Sequence, residues 1–194
     1  MENEIINKEL SGFQLEKEIE RMQLSHRKRN RLTTVFVVLL VLAASMVLAA
    51  TLKFPILLVG GDAMNPTLES GQALLTIRTQ QLERGDIVAF YHGNELLIRR
   101  IVGCSGEQIH IADDGLITVN GETFEDVFSA SMVLEPSDLT YPIQVPESCF
   151  FVVGDNRAIS MDSRMMEIGC VSSERIVGKV IFRFWPLEVL AYLG

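Results

Sequence analysis

The chain has 194 residues, 48% of them hydrophobic, and three cysteines. That length suits one domain plus appendages; the composition is too apolar for a disordered chain and too poor in cysteine for a disulfide scaffold. The net charge of −8 is unevenly placed: residues 1–53 hold 8 Lys and Arg against 6 Asp and Glu, net +2, and residues 54–194 hold 9 against 19, net −10. An acidic globular part argues against a nucleic-acid partner.

Residues 1–31 form an N-terminal segment. Within it "SGFQLEKEIERMQLSHRKR" opens with a capping box, Ser11 with Gln14, and places Leu15, Ile19 and Met22 on one helix face. A solvated juxtamembrane helix is the preferred reading, ahead of a helix that binds a partner or the membrane surface. Leu32 to Leu52 then runs for 21 residues without a charge, roughly 30 Å as a helix and one bilayer core thick. Four basic residues precede it, within Arg27–Arg31, and Lys53 follows. By the positive-inside rule residues 32–53 anchor the chain in the cell membrane as a single span. The N-terminus is then cytoplasmic and 54–194 extracytoplasmic. The small residues of "VLAATL" offer a cleaved signal as the rival, but the run exceeds an ordinary signal core of about 7–15 residues and starts late in the chain.

From Phe54 onward the pattern turns to short strands. "ALLTIRT", "DIVAFY", "ELLIRRIVG", "QIHIA", "LITVNG", "CFFVVGD" and "KVIFRFW" are β-branched or aromatic runs separated by Gly, Asp, Asn and Pro. "DDGLITVNGETF" reads as hairpins with Asp-Gly and Asn-Gly turns. The expected fold is mostly β, with strands closing or packing into sheets behind one N-terminal transmembrane helix. Residues 129–142 read as an irregular surface excursion. Of Cys104, Cys149 and Cys170 at least one is unpaired within the chain, and the spacing does not choose a pair. His26, His92 and His110 are isolated, so no metal site and no cofactor is expected.

Four stretches carry chemistry together: "GDAMNPTL" at 61–68, "RGDIVAF" at 84–90, "IRRIVGCSGE" at 98–107 and "GDNRAISMDSR" at 154–164. In order and spacing they resemble the conserved boxes of type I signal peptidases, in particular the smaller Gram-positive type, and the resemblance covers nearly all of 54–194. It implies a membrane-anchored serine endopeptidase that removes signal peptides from exported proteins. In that family a serine hydroxyl attacks the scissile carbonyl, and a desolvated, partly neutral lysine takes its proton. The resemblance puts Ala63 at the nucleophile position and Arg99 at the general-base position. It gives Ser160 the role of supporting the lysine by a hydrogen bond, makes Asp162 and Arg164 an ion pair behind the site, and adds Asp155 to the same support. Gly61, the N–H of Ala63, and Met64 would form the oxyanion hole and the shallow pockets for Ala-x-Ala sequences, with the peptide lying as an added strand.

Both dyad positions depart from the family. Alanine has no oxygen to attack with, and arginine keeps its proton. Lysine is absent from 54–178, which leaves Lys179 as the only one beyond the anchor. Thr67, Ser70, Ser160 and Ser163 are hydroxyls without an evident base. An arginine at 99 needs an acceptor, for which Asp62, Asp155 or Asp162 are the candidates. The chain as written is therefore expected not to cleave. The leading reading is a peptide-binding or assembly accessory, with exported preproteins or pilin-type proteins as partners. The alternative is a signal peptidase disabled at Ala63 and Arg99, and a third is a hydrolase with a relocated nucleophile.

Overall fold

The structure, a computed structural model, describes residues 31–124 and 139–194. The chain divides into two units, residues up to Ala50 and Thr51–Gly194. The helix expected near 11–31 and most of the excursion at 129–142 lie outside the described residues; from Leu139 to Pro142 the backbone is irregular.

The apolar run is one helix, α1, Arg31–Lys53, long and apolar enough to cross a membrane. Its side chains are exposed throughout, Phe36 by 66% and Met46 by 75%. A helix apolar on every face and covered by no protein gains stability from lipid.

Beyond it the expected β architecture is present. Among the described residues there are twelve strands: β1 Ile56–Leu58, β2 Ala73–Ile77, β3 Ile87–His92, β4 Glu95–Gly103, β5 Gln108–Ile111, β6 Ile117–Val119, β7 Glu122–Thr123, β8 Ile143–Gln144, β9 Cys149–Val153, β10 Val171–Ser172, β11 Ile176–Trp185 and β12 Ala191–Tyr192. The main sheet runs β1-β2-β11-β3-β4-β9-β10 with β12 on β11, and a smaller sheet runs β7-β6-β5-β8. Every pairing is antiparallel. The seven runs named above all contain strands; the short strands β1, β8, β10 and β12 carry too few residues for a period to register.

Alternation along the strands explains the layering. In β3, Ile87 and Ala89 enter one core with Met64, Leu68 and Leu74, while Val88 and Phe90 enter a second with Ile101, Phe150 and Val152. In β9, Phe151 and Val153 face a third core, shared with Ile109, Ile117 and Val119 of the smaller sheet. A period-2 strand that is apolar at every position must be covered on both faces, and β3 and β9 are. Irregular pairing interrupts β11 against β2 and β3, and β4 against β9 between Ile101 and Gly103. Such bulges bend a sheet and re-aim side chains. The last lies two residues beyond Arg99.

Candidate functional site

The segment 59–72 leaves β1 and returns to β2. Val59 and Gln72 close its mouth, N–H to carbonyl at 2.8 Å, and Gly71 donates to the Val59 carbonyl at 2.9 Å. Met64 and Leu68, one turn apart and joined by a 2.9 Å backbone bond, point into the core at 2% and 0% exposure. Burying these two holds the turn in place and leaves Ala63 half-exposed at its crest. Gly61 has φ +75°, a left-handed conformation that strains other residues, and nothing in the protein lies within 4 Å of a Cβ built there. What fixes glycine at 61 within this structure is the turn.

The last box, in the segment between β9 and β10, clasps this turn. The Asn156 N–H donates to the Ala63 carbonyl at 3.0 Å and its side-chain amide to the Asp62 carbonyl at 3.2 Å. A Cβ on Gly154 would stand 2.1 Å from Ser160 Oγ and 2.6 Å from the Ala63 carbonyl oxygen, so only glycine allows this approach. Asp162 holds the segment from within: it accepts from the Gly154 N–H at 2.9 Å and from Arg164 at 2.8 and 3.0 Å, with both side chains buried. Ser163 brackets Val152, accepting its N–H at 2.9 Å on the hydroxyl and donating its own N–H to the Val152 carbonyl at 3.0 Å.

β4 brings the other half. Ala63 and Arg99 line one cavity of about 50 Å³, with Val59, Gly60, Gly61, Met64 and the stretch Leu96–Ile98. Arg99 is 6% exposed. Its Nε donates to the Met161 carbonyl at 2.8 Å and its Nη1 to the Ile98 carbonyl at 2.6 Å. The expected carboxylate acceptor is a correction: among the described residues no acid lies within ion-pair distance of Arg99. Asp155 is engaged by Arg100 and Asp162 by Arg164, and Asp62 contributes its backbone carbonyl to Asn156 instead. Carbonyls win because they are already fixed beside the guanidinium, whereas both buried acids are saturated. Burial lowers the Arg99 pKa, with Asp162 opposing and Arg164 adding; a guanidinium keeps its proton at physiological pH.

Arg100 was not singled out by sequence. It forms a fork on Asp155, at 2.8 and 2.7 Å, and donates to the Gly85 carbonyl at 2.8 Å. Thr67 donates its hydroxyl to the same carboxylate. The turn bearing Ala63, β4 and the last box are thereby tied at one acid. The doubled arginine at 99–100 was the available signal, but spacing alone does not say which arginine meets an acid. The remaining lysine, Lys179 on β11, is paired to Asp86 at 2.7 Å and is not among the residues lining the cavity. Ser160 Oγ is buried and has no hydrogen-bond partner among the described residues. Among the described residues no group of three or more His, Cys, Asp or Glu is placed to hold a metal ion.

The family model for signal peptidase, peptidase S26, matches residues 29–185. The chain belongs to this family. A signal peptidase I of Bacillus caldolyticus is 35% identical over 153 residues, covering 69% of this chain and 81% of the relative. A signal peptidase IB of Staphylococcus aureus (strain MRSA252) is 27% identical over 180 residues, covering 83% and 90%. A crystal structure of a signal peptidase I from Enterococcus faecalis V583 is similar over 53% of this chain and 98% of that chain, at 27% identity and a TM-score of 0.42. With α1 ahead of the β domain, this member of the peptidase S26 family is membrane-anchored.

Proposed function

We propose that this chain is a signal-peptidase homologue that binds extended peptide without cleaving it, on the extracytoplasmic side of the membrane. One observation carries this reading. The cavity is lined by both Ala63 and Arg99, a methyl group and a charged guanidinium. Neither can attack a carbonyl or accept a proton at neutral pH. The sole lysine beyond the anchor is occupied by Asp86. Exported preproteins or pilin-type proteins are the partners, held as an added strand. Among the described residues no strand pairs with the β3-distal edge of β4 over residues 95–99, since β9 joins β4 only from Arg100. Orientation follows from the basic residues ahead of α1.

Ser160 favours a second reading. A buried hydroxyl without a partner costs about 1–3 kcal/mol. The family resemblance gives that hydroxyl to a lysine amine. A hydroxyl left in that state suits a peptidase whose active form carries serine at 63 and lysine at 99.

Purified full-length protein should leave a preprotein and an Ala-x-Ala peptide uncut. Ala63→Ser and Arg99→Lys, each alone, should restore almost nothing, because a dyad acts as a unit. Cleavage by the unmodified chain well above buffer background would refute the non-cleaving reading and point to a relocated nucleophile.

A further inference from the structure

Resting on the peptide-binding reading of the cleft, we propose that the cavity between Ala63 and Arg99 receives the free C-terminal carboxylate of an extended peptide ending in a small residue. An unbroken peptide bond is the poorer ligand. The site would hold peptide ends already released by a cleaving enzyme.

The charge balance of the cavity leads there. Arg99 is 94% buried, taking its 6% exposure, yet no acid within ion-pair distance offsets it among the described residues. Asp162 acts on it through space, but that carboxylate is bound to Arg164 and to the Gly154 N–H. A buried cation without a counter-ion is costly, and an anion seated beside it offsets that cost. The guanidinium is also fixed in advance. Nε and Nη1 are held by the Met161 and Ile98 carbonyls, and Nη2 donates to no group among the described residues. Ala63 lines the same cavity; its N–H makes no hydrogen bond among the described residues, while its carbonyl is held by Asn156. Two such donors, on residues that line one cavity, suit two carboxylate oxygens, and charge-assisted bonds of this kind are about twice as strong as neutral ones.

Space and pairing agree with charge. The cavity of about 50 Å³ compares with the roughly 10–15 Å³ one water needs on the same scale, which leaves room for a carboxylate and a methyl group. Gly60, Gly61 and Ala63 line it and bring no side chain larger than a methyl. A strand laid on the free edge of β4 meets the Ile98 carbonyl already occupied by Arg99 Nη1, so backbone pairing stops at the cation. A chain that ends there loses nothing. One that continues brings no charge for Arg99 and one fewer acceptor to pair with.

The test uses full-length protein in detergent and a fluorescent peptide ending in Ala-Gln-Ala, read by anisotropy. The peptide is offered as the free acid, as the C-terminal amide, and extended by a few residues past the alanine. The free acid should bind about tenfold more tightly than the amide, and Arg99→Met should reduce it to the amide's affinity. Acetate at the peptide's concentration should leave the peptide bound. Equal affinity for acid and amide, or tightest binding of the extended peptide, overturns the carboxylate site and leaves peptide binding standing. No binding of any of the three overturns both. Displacement by acetate makes it a site for any small anion and overturns its assignment to a peptide end. The comparison of acid with amide needs no variant, so it decides the matter even where Arg99→Met fails to fold.

Discussion

At the scale of single residues, the proposed non-cleaving reading rests on two positions that differ in kind. Ala63 keeps its place and backbone, with the turn anchored by Met64 and Leu68 and clasped by Asn156. Arg99 introduces a fixed charge that consumes two backbone carbonyls. Replacing both, Ala63→Ser with Arg99→Lys, supplies a hydroxyl and an amine in one step, and the proposed reading gives that amine the Ser160 hydroxyl, which has no partner among the described residues. The lysine starts near 10.4, and burial favours its neutral form. Processing of a preprotein by the double variant should therefore appear and rise between pH 6 and 10, with Ala63→Ser alone as the inactive control. A folded, membrane-inserted double variant that stays inactive at every pH would mean that the cleft has reorganised around Arg99.

At the scale of elements, the segment joining β9 to β10 does most of the positioning. Asp162 and Arg164 form a buried pair inside it, with Asp162 0% and Arg164 4% exposed. Such a pair adds little net stability, yet removing one partner strands the other charge. Asp162→Ala should cost about 3–5 kcal/mol in a urea titration of the detergent-solubilised protein. A loss below about 1 kcal/mol would show that the segment holds without the pair. The same strands carry a pH dependence. Burial chiefly, with Cys149 adding, pushes the Cys170 thiol from 9.0 up to about 11. The folded thiol is thus a weaker acid than the unfolded one. Its contribution to stability is complete below pH 9 and is lost as pH rises through about 11. Melting temperature should fall across that window, and Cys170→Ala should flatten the fall; an unchanged slope in that variant would assign it to other groups.

At the scale of the whole molecule, the proposed arrangement is a single anchor with the β domain outside. It predicts that protease added to intact spheroplasts digests residues 54–194 and spares the N-terminal segment. Recovery of the β domain as a free secreted fragment would mean that the apolar run is cleaved instead. The acidic balance of 54–194, net −10 from 9 basic and 19 acidic residues, suits a domain that stays soluble beside the bilayer.

Sequence by itself determined the anchor, the β character and the placement of most strands, because each rests on a local period. Twenty-one uncharged residues need a bilayer, and apolar alternation with Gly, Asp and Asn turns needs a sheet. It also showed that position 63 lacks a hydroxyl and position 99 a titratable amine, since chemistry at one residue requires no neighbours. Tertiary structure decided what partners those residues have. Asp155 met Arg100 and not Arg99, Arg99 turned to the carbonyls of Met161 and Ile98, and Ser160 was left without a partner. Asn156 reached the Ala63 turn, 93 residues earlier in the chain. Contacts of that range are set by strand register and by bulges such as the one after Ile101. A side chain's distance to a group on another strand leaves no local trace in sequence.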